Sequence, residues 1–121
     1  MHELSIAQSL IELACEAAER DGCQRVTRLF VRLGAMSGVV REALEFSFDL
    51  AAEDTLCAGA KLEIEETKII VYCPSCEARK TISDGYILCC PTCGQPTSQI
   101  VSGRELELIS VEVEDYASAN R

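Results

Sequence analysis

The chain contains no tryptophan, a single histidine, three prolines and three phenylalanines in 121 residues. With so few large rings, aliphatic side chains have to supply most of its core. Basic residues are also scarce, 11 Lys and Arg against 20 Asp and Glu, which leaves a net charge of −9. A surface of that sign repels phosphate backbones and anionic lipid, so neither nucleic acid nor membrane is an expected partner. No apolar run approaches the roughly 20 residues that a membrane-spanning helix needs. Residues 1–20 carry Glu3, Glu12, Glu16 and Glu19 without a basic leader, so no secretory signal is expected and the chain reads as cytoplasmic. One histidine cannot supply a histidine-based acid–base pair, and no nucleophile motif or phosphate loop is present. An enzyme is therefore not expected.

Cysteine is the exception to this scarcity. There are eight, and four of them form two Cys-x-x-Cys pairs: Cys73-Pro74-Ser75-Cys76, and Cys90-Pro91-Thr92-Cys93 followed by Gly94. Thirteen residues, 77–89, separate the pairs. Each x-x turn is a tight knuckle that aims both sulfurs the same way and leaves backbone N–H groups to hydrogen-bond them. Two knuckles across a short loop offer four thiolates to one tetrahedral ion, the donor set of structural Zn²⁺ with no position left open. Four bound thiolates would deepen the net charge by about −2. Iron in the same cage is a minor alternative. Disulfides are disfavoured in a chain without a leader, and neither pair sits between a strand and a helix, as a thioredoxin-like redox motif would. Pro74 and Pro91 stiffen the turns, and Gly94 permits a left-handed backbone after the last sulfur. Cys89 is a rival to Cys90. It would give Cys-x-x-x-Cys and lose the match to the first knuckle, so the expected ligands are Cys73, Cys76, Cys90 and Cys93.

Residues 4–20 read as an amphipathic helix, with Ile6, Leu10, Leu13 and Ala17 as its stripe and Ala7, Ile11, Ala14 and Ala18 widening it. Ser5 with Gln8 is a candidate capping box, and Asp21-Gly22 a stop. Cys15 reads as a small core residue. Residues 25–33 alternate like a strand, with Thr27, Leu29, Val31 and Leu33 on one face. Residues 34–38 form a turn in which Ser37 could cap a second helix, 39–52, with Val40, Leu44, Phe48 and Ala51 as its core stripe and Phe46 and Leu50 beside it. Cys57 follows in a loop with no partner at ligand spacing. One long strand, 61–72, runs into the first knuckle, and a third strand spans 104–114, with a phase slip at Leu108-Ile109 that suggests a bulge. Residues 116–121 read as a frayed tail. The expected fold is α+β: two helices on a three-stranded sheet, with a four-cysteine, ribbon-like zinc-knuckle domain at 73–97 inserted into a discontinuous domain of 1–72 and 98–121.

The single histidine, His2, follows the first residue. There the terminal amine of Met1, the His2 backbone amide and imidazole Nδ1 can chelate one ion in fused small rings. A deprotonated amide nitrogen favours square-planar Ni²⁺ or Cu²⁺. Three nitrogens leave a position open, through which an incoming ligand can draw the ion away. Glu3 adds a carboxylate nearby; the plain account of Glu3 is the preference of a helix start for negative charge.

Met1-His2-Glu3-Leu4-Ser5, Leu33-Gly34-Ala35-Met36-Ser37-Gly38, the paired Cys-x-x-Cys motifs and Val101-Ser102-Gly103-Arg104-Glu105-Leu106 together resemble the HypA/HybF nickel metallochaperones, over essentially the whole chain. The resemblance implies delivery of Ni²⁺ during maturation of NiFe-hydrogenase, with urease as a further client of some relatives. It implies nickel at Met1, His2 and Glu3, and zinc at Cys73, Cys76, Cys90 and Cys93. It also implies a HypB-type GTPase and the hydrogenase large-subunit precursor as partners, and it leaves room for a homodimer. Many relatives carry an acidic residue where Val40 stands. Valine cannot ligate, so a carboxylate in this site comes from Glu3 or Glu42. The alternative, a zinc-ribbon module for nucleic acid or protein, is opposed by charge: residues 73–97 hold Arg79 and Lys80 against Glu77 and Asp84.

Overall fold

The computed structural model describes residues 3–83 and 88–114. Met1, His2, Asp84 and the expected tail at 116–121 lie outside them. Two helices and six strands follow in the order α1 (Glu3–Arg20), β1 (Arg25–Gly34), α2 (Arg41–Ala52), β2 (Lys61–Thr67), β3 (Ile69–Cys73), β4 (Ala78–Ile82), β5 (Ile100–Ser102) and β6 (Leu106–Glu114). They form two three-stranded sheets, ordered β2-β1-β6 and β4-β3-β5. The fold is α+β, as the periodicities imply. Contacts divide the chain into two compact units: Met1–Val31, Val39–Ile64 and Leu108–Arg121 form the first, and Arg32–Gly38 with Glu65–Glu107 the second.

In the first unit, α1 and α2 pack together over a core drawn from both helices, β1, and the loop after α2. The buried stripe of α1 is Ala7, Leu10, Ile11, Ala14 and Ala18. These are Leu10 and the four residues expected to widen the stripe, so the inward face is centred on the widening set: Leu13 is 52% exposed and Ile6 only packs at the margin. Ser5 is not a cap, because α1 already begins at Glu3 and Ser5 lies inside it. The stop is as expected. Cys23 N donates to Ala18 O (2.8 Å) and Gly22 N to Glu19 O (3.1 Å), around Gly22 at φ 71°. This pair of bonds closes the helix end with a left-handed residue.

α2 buries Leu44, Phe48 and Ala52, one residue in each successive turn. Its N-cap is Val40, without a side-chain cap, so Ser37 does not serve. As the capping residue Val40 stands outside the helical register and is 56% exposed, instead of lying in the core. Phe46 and Leu50 are exposed as well. The loop after α2 is held by Thr55, whose hydroxyl donates to Ala52 O (2.7 Å) and accepts from Cys57 N (3.0 Å). Val26 N donates to Leu56 O (2.8 Å), and Cys57 is fully buried. On the solvent side, Arg28 lies between Glu63 (3.5 Å) and Glu112 (3.6 Å). Such exposed pairs contribute well under about 1 kcal/mol each.

The second unit shows why the long strand expected at 61–72 is two strands. Lys68 belongs to neither β2 nor β3. Its carbonyl accepts from Ser102 Oγ (2.8 Å), while Thr67 Oγ1 donates to Glu105 Oε1 (2.7 Å). Beyond that point β3 pairs with β4 and β5 in the second sheet. Ile69, Val71 and Ile82 form a small core there, with Met36, Leu88 and Ile100 against it. The last strand, β6, half-buries Leu106, Leu108 and Val111, while Ile109 and Val113 are exposed. The change of phase thus comes after Ile109, one residue later than the sequence suggests.

Candidate metal centre

β3 ends on Cys73, which pairs in register with Ala78 at the start of β4. The intervening turn Pro74-Ser75-Cys76-Glu77 is therefore the tip of a hairpin, with Glu77 at φ 51°. Inside it Cys76 N points at Cys73 Sγ (3.4 Å), the N–H···S contact of a metal knuckle. The second turn closes through Gly94 N to Cys90 O (2.8 Å) and Cys90 N to Gln95 O (2.8 Å). Gly94 has φ 76°, the left-handed conformation expected of it.

Thr97 ties the second knuckle to the first. Its hydroxyl donates to Tyr72 O (2.7 Å) and accepts from Gln99 N (3.2 Å), and its N–H donates to Leu88 O (2.9 Å). At 8% exposure it is a buried polar side chain with its hydrogen-bonding capacity used. Nothing in the sequence singles it out, since a threonine between Pro96 and Ser98 looks like any loop residue.

These constraints bring four sulfurs together. The Sγ atoms of Cys73, Cys76, Cys90 and Cys93 all lie within 4.8 Å of one another. Cys73 and Cys93 are 3.5 Å apart, and Cys76 and Cys90 3.9 Å. A tetrahedral ion with Zn–S bonds of about 2.3 Å requires sulfur–sulfur edges of about 3.8 Å, and the two separations just given lie close to that, so the donor set suits zinc in element and is near it in spacing. Cys73 and Cys90 are buried, Cys76 is half-buried and Cys93 exposed. The Cys90 thiol is lowered to about 6, chiefly by the Cys93 backbone N–H. Cys76 is raised to about 12, chiefly by hydrogen bonding to the Cys93 sulfur. Sulfurs this close resist ionising together, and a divalent cation removes that repulsion. The set contains Cys90; Cys89 is only half-buried and makes an isolated antiparallel bridge with Pro96.

Of the residues expected at nickel, Glu3 is described; Met1 and His2 are outside the described residues. Glu3 stands in the first turn of α1, and its Oε2 lies 3.5 Å from Val40 N, at the start of α2. That helix start favours a carboxylate. Glu42, the other candidate, is exposed in the first turn of α2.

Among the described residues no helix is long and apolar enough to cross a membrane. Comparison with known proteins gives a consistent result. The family profile described as "Hydrogenase/urease nickel incorporation, metallochaperone, hypA" matches residues 1–113. The hydrogenase maturation factor HypA of Chloroflexus aurantiacus is 48% identical over 112 residues, covering 93% of this chain and 98% of that protein. Its Roseiflexus counterpart is 50% identical over 115 residues, covering 95% and 94%. The solution structure of the nickel metallochaperone HypA from Helicobacter pylori superposes with a TM-score of 0.66 at 26% identity, covering 95% of this chain and 99% of that one. A second HypA solution structure gives a TM-score of 0.70 at 27% identity, covering 94% and 97%. These relatives are named as maturation factors and metallochaperones, not enzymes. The chain belongs to the HypA family of hydrogenase and urease nickel-incorporation metallochaperones.

Proposed function

We propose that the chain carries Ni²⁺ as cargo at its amino terminus and delivers it during NiFe-hydrogenase maturation in the cytoplasm. The donors are the Met1 amine, the His2 amide and imidazole, and the Glu3 carboxylate. Cys73, Cys76, Cys90 and Cys93 hold a structural Zn²⁺ that cross-links the two knuckles. On this reading, residues 1–72 with 98–121 form the nickel-binding domain and 73–97 the zinc domain. The partners are a HypB-type GTPase and the hydrogenase large-subunit precursor, and transfer proceeds by ligand exchange.

The observation that carries the reading is the family match, which begins at residue 1 and so takes in Met1, His2 and Glu3. The chemistry agrees with it. Three nitrogens hold a square-planar ion and leave a position for an acceptor's donor atom. The position of Glu3 beside the start of α2 keeps a carboxylate near the amino terminus, and Val40 contributes only its backbone N–H there. The test is nickel titration of zinc-loaded protein with an untagged amino terminus, wild type against His2→Ala. Stoichiometric binding that disappears in the variant, with zinc content unchanged, supports the proposal. Equal binding in both refutes it.

A further inference from the structure

Three cysteines of the first unit have no part in the four-sulfur cluster: Cys15, Cys23 and Cys57. Two of them touch. Cys15 Sγ on α1 and Cys57 Sγ in the loop after α2 are 3.8 Å apart, although 42 positions separate them in the chain. Cys57 is fully buried and Cys15 half-buried. The Cys57 backbone is fixed by its bond to Thr55 Oγ1 (3.0 Å), and Thr55 is fixed in turn to the end of α2 through Ala52 O (2.7 Å). Cys23 points elsewhere, with its sulfur 3.8 Å from Asp21 O.

We propose that Cys15 and Cys57 are a reversible disulfide site, oxidised by peroxide, which staples α1 to the loop that follows α2. From 3.8 Å the sulfurs need to close by about 1.8 Å to reach disulfide bond length. Cys15, half-buried where Cys57 is fully buried, is the more accessible of the two to a small oxidant. Its thiolate attacks one oxygen of hydrogen peroxide, taking up that oxygen as a sulfenic acid while hydroxide leaves. Cys57 sulfur then attacks the Cys15 sulfur, the S–OH bond breaks, and the hydroxyl departs with the Cys57 proton as water. In sum two thiols lose two electrons and two protons, and one peroxide becomes two waters. Burial raises the Cys57 thiol to about 12, which disfavours its direct attack on an oxidant from solution. It serves as the resolving group because it already sits beside Cys15. Reduction by a dithiol reverses the step. The site is independent of the nickel and zinc reading, since neither sulfur belongs to the donor sets proposed there.

The sequence makes the test direct. Trypsin separates the three cysteines, because Arg20, Arg25, Arg41 and Lys61 place Cys15, Cys23 and Cys57 on peptides 1–20, 21–25 and 42–61. Zinc-loaded full-length protein is treated with hydrogen peroxide, alkylated, digested and analysed by mass spectrometry, alongside Cys15→Ser and Cys57→Ala. The expected result is a linked 1–20/42–61 peptide that dithiothreitol resolves and that both variants lack. Urea unfolding of the oxidised wild type should shift to higher denaturant and return on reduction. The proposal is overturned if wild-type peptides 1–20 and 42–61 remain alkylatable at peroxide doses that oxidise Cys23 or Cys89. It is equally overturned if Cys15 is found linked to Cys23.

Discussion

Replacing Gly34 with alanine should damage the second unit far more than the size of a methyl group implies. Gly34 is buried at the end of β1, where three chain segments meet backbone to backbone. Gly34 N donates to Glu105 O (2.7 Å), Ala35 N to Thr67 O (3.1 Å) and Met36 N to Gly103 O (2.6 Å). A Cβ on Gly34 would collide with the Gly103 carbonyl and stand 2.6 Å from Glu105 N. These are backbone atoms, so no rotamer change relieves the clash. Restoring ordinary contact needs a displacement of about 1 Å, enough to break two or three bonds of about 1 kcal/mol each. The expected loss is about 2–4 kcal/mol once strain is added. Gly22→Ala is the control. A Cβ there meets nothing within 4 Å, and only the φ of 71° opposes it, at a cost of about 1–2 kcal/mol. Urea unfolding of the zinc-loaded variants, followed by circular dichroism, separates the two. If Gly34→Ala proves no more destabilising than Gly22→Ala, the backbone crossing is not the constraint described here. The residues Leu33–Gly38 and Val101–Leu106, which carry much of the family resemblance, would then need another explanation.

Other perturbations have equally definite outcomes. Phe48→Ala removes the largest fully buried side chain of the first unit and should cost about 3–5 kcal/mol in the same assay. Cys73→Ser or Cys93→Ser should abolish stoichiometric zinc, measured by a colorimetric chelator after denaturation. It should also raise hydrogen exchange in the β3–β4 hairpin, because structural zinc contributes folding energy outright. Glu105 is held below the ordinary carboxylate range, chiefly by the Thr67 hydroxyl. A carboxyl lowered in the folded state adds stability that is present above its unfolded pKa and is lost as pH falls through the folded one. Thr67→Val should therefore be destabilising near neutrality, and its gap from wild type should narrow below about pH 4.

The gathering of Cys73, Cys76, Cys90 and Cys93 was legible because Cys-x-x-Cys spacing encodes local geometry, and two such turns need only a loop that lets them meet. Both helices and β1 were legible from periodicity. What periodicity could not show was which part of a wide apolar stripe faces inward. On α1 the side that carries Ala7, Leu10, Ile11, Ala14 and Ala18 is buried, while Leu13, an equally apolar candidate, is 52% exposed. The break at Lys68 was also hidden. Residues 61–72 are uniformly strand-like, and at the division Lys68 and Thr67 are bonded by Ser102 and Glu105, residues more than 30 positions away in the chain. β4 and β5 escaped notice for a related reason. They are five and three residues long, and although burial alternates along both, the residue types Ala-Arg-Lys-Thr-Ile and Ile-Val-Ser do not alternate apolar with polar. Thr97 and Glu105 act through hydrogen bonds to backbone and hydroxyl groups, which residue type alone does not announce.

The central claim is that two chemically different metal sites share this chain, nitrogen and oxygen donors for nickel at the amino terminus and four sulfurs for zinc. X-ray absorption at the nickel and zinc edges of one doubly loaded sample tests it most directly. The expected result is a nickel spectrum fitted by nitrogen and oxygen alone, and a zinc spectrum fitted by four sulfurs at about 2.3 Å. Sulfur in the nickel shell, or fewer than four sulfurs around zinc, would contradict the account.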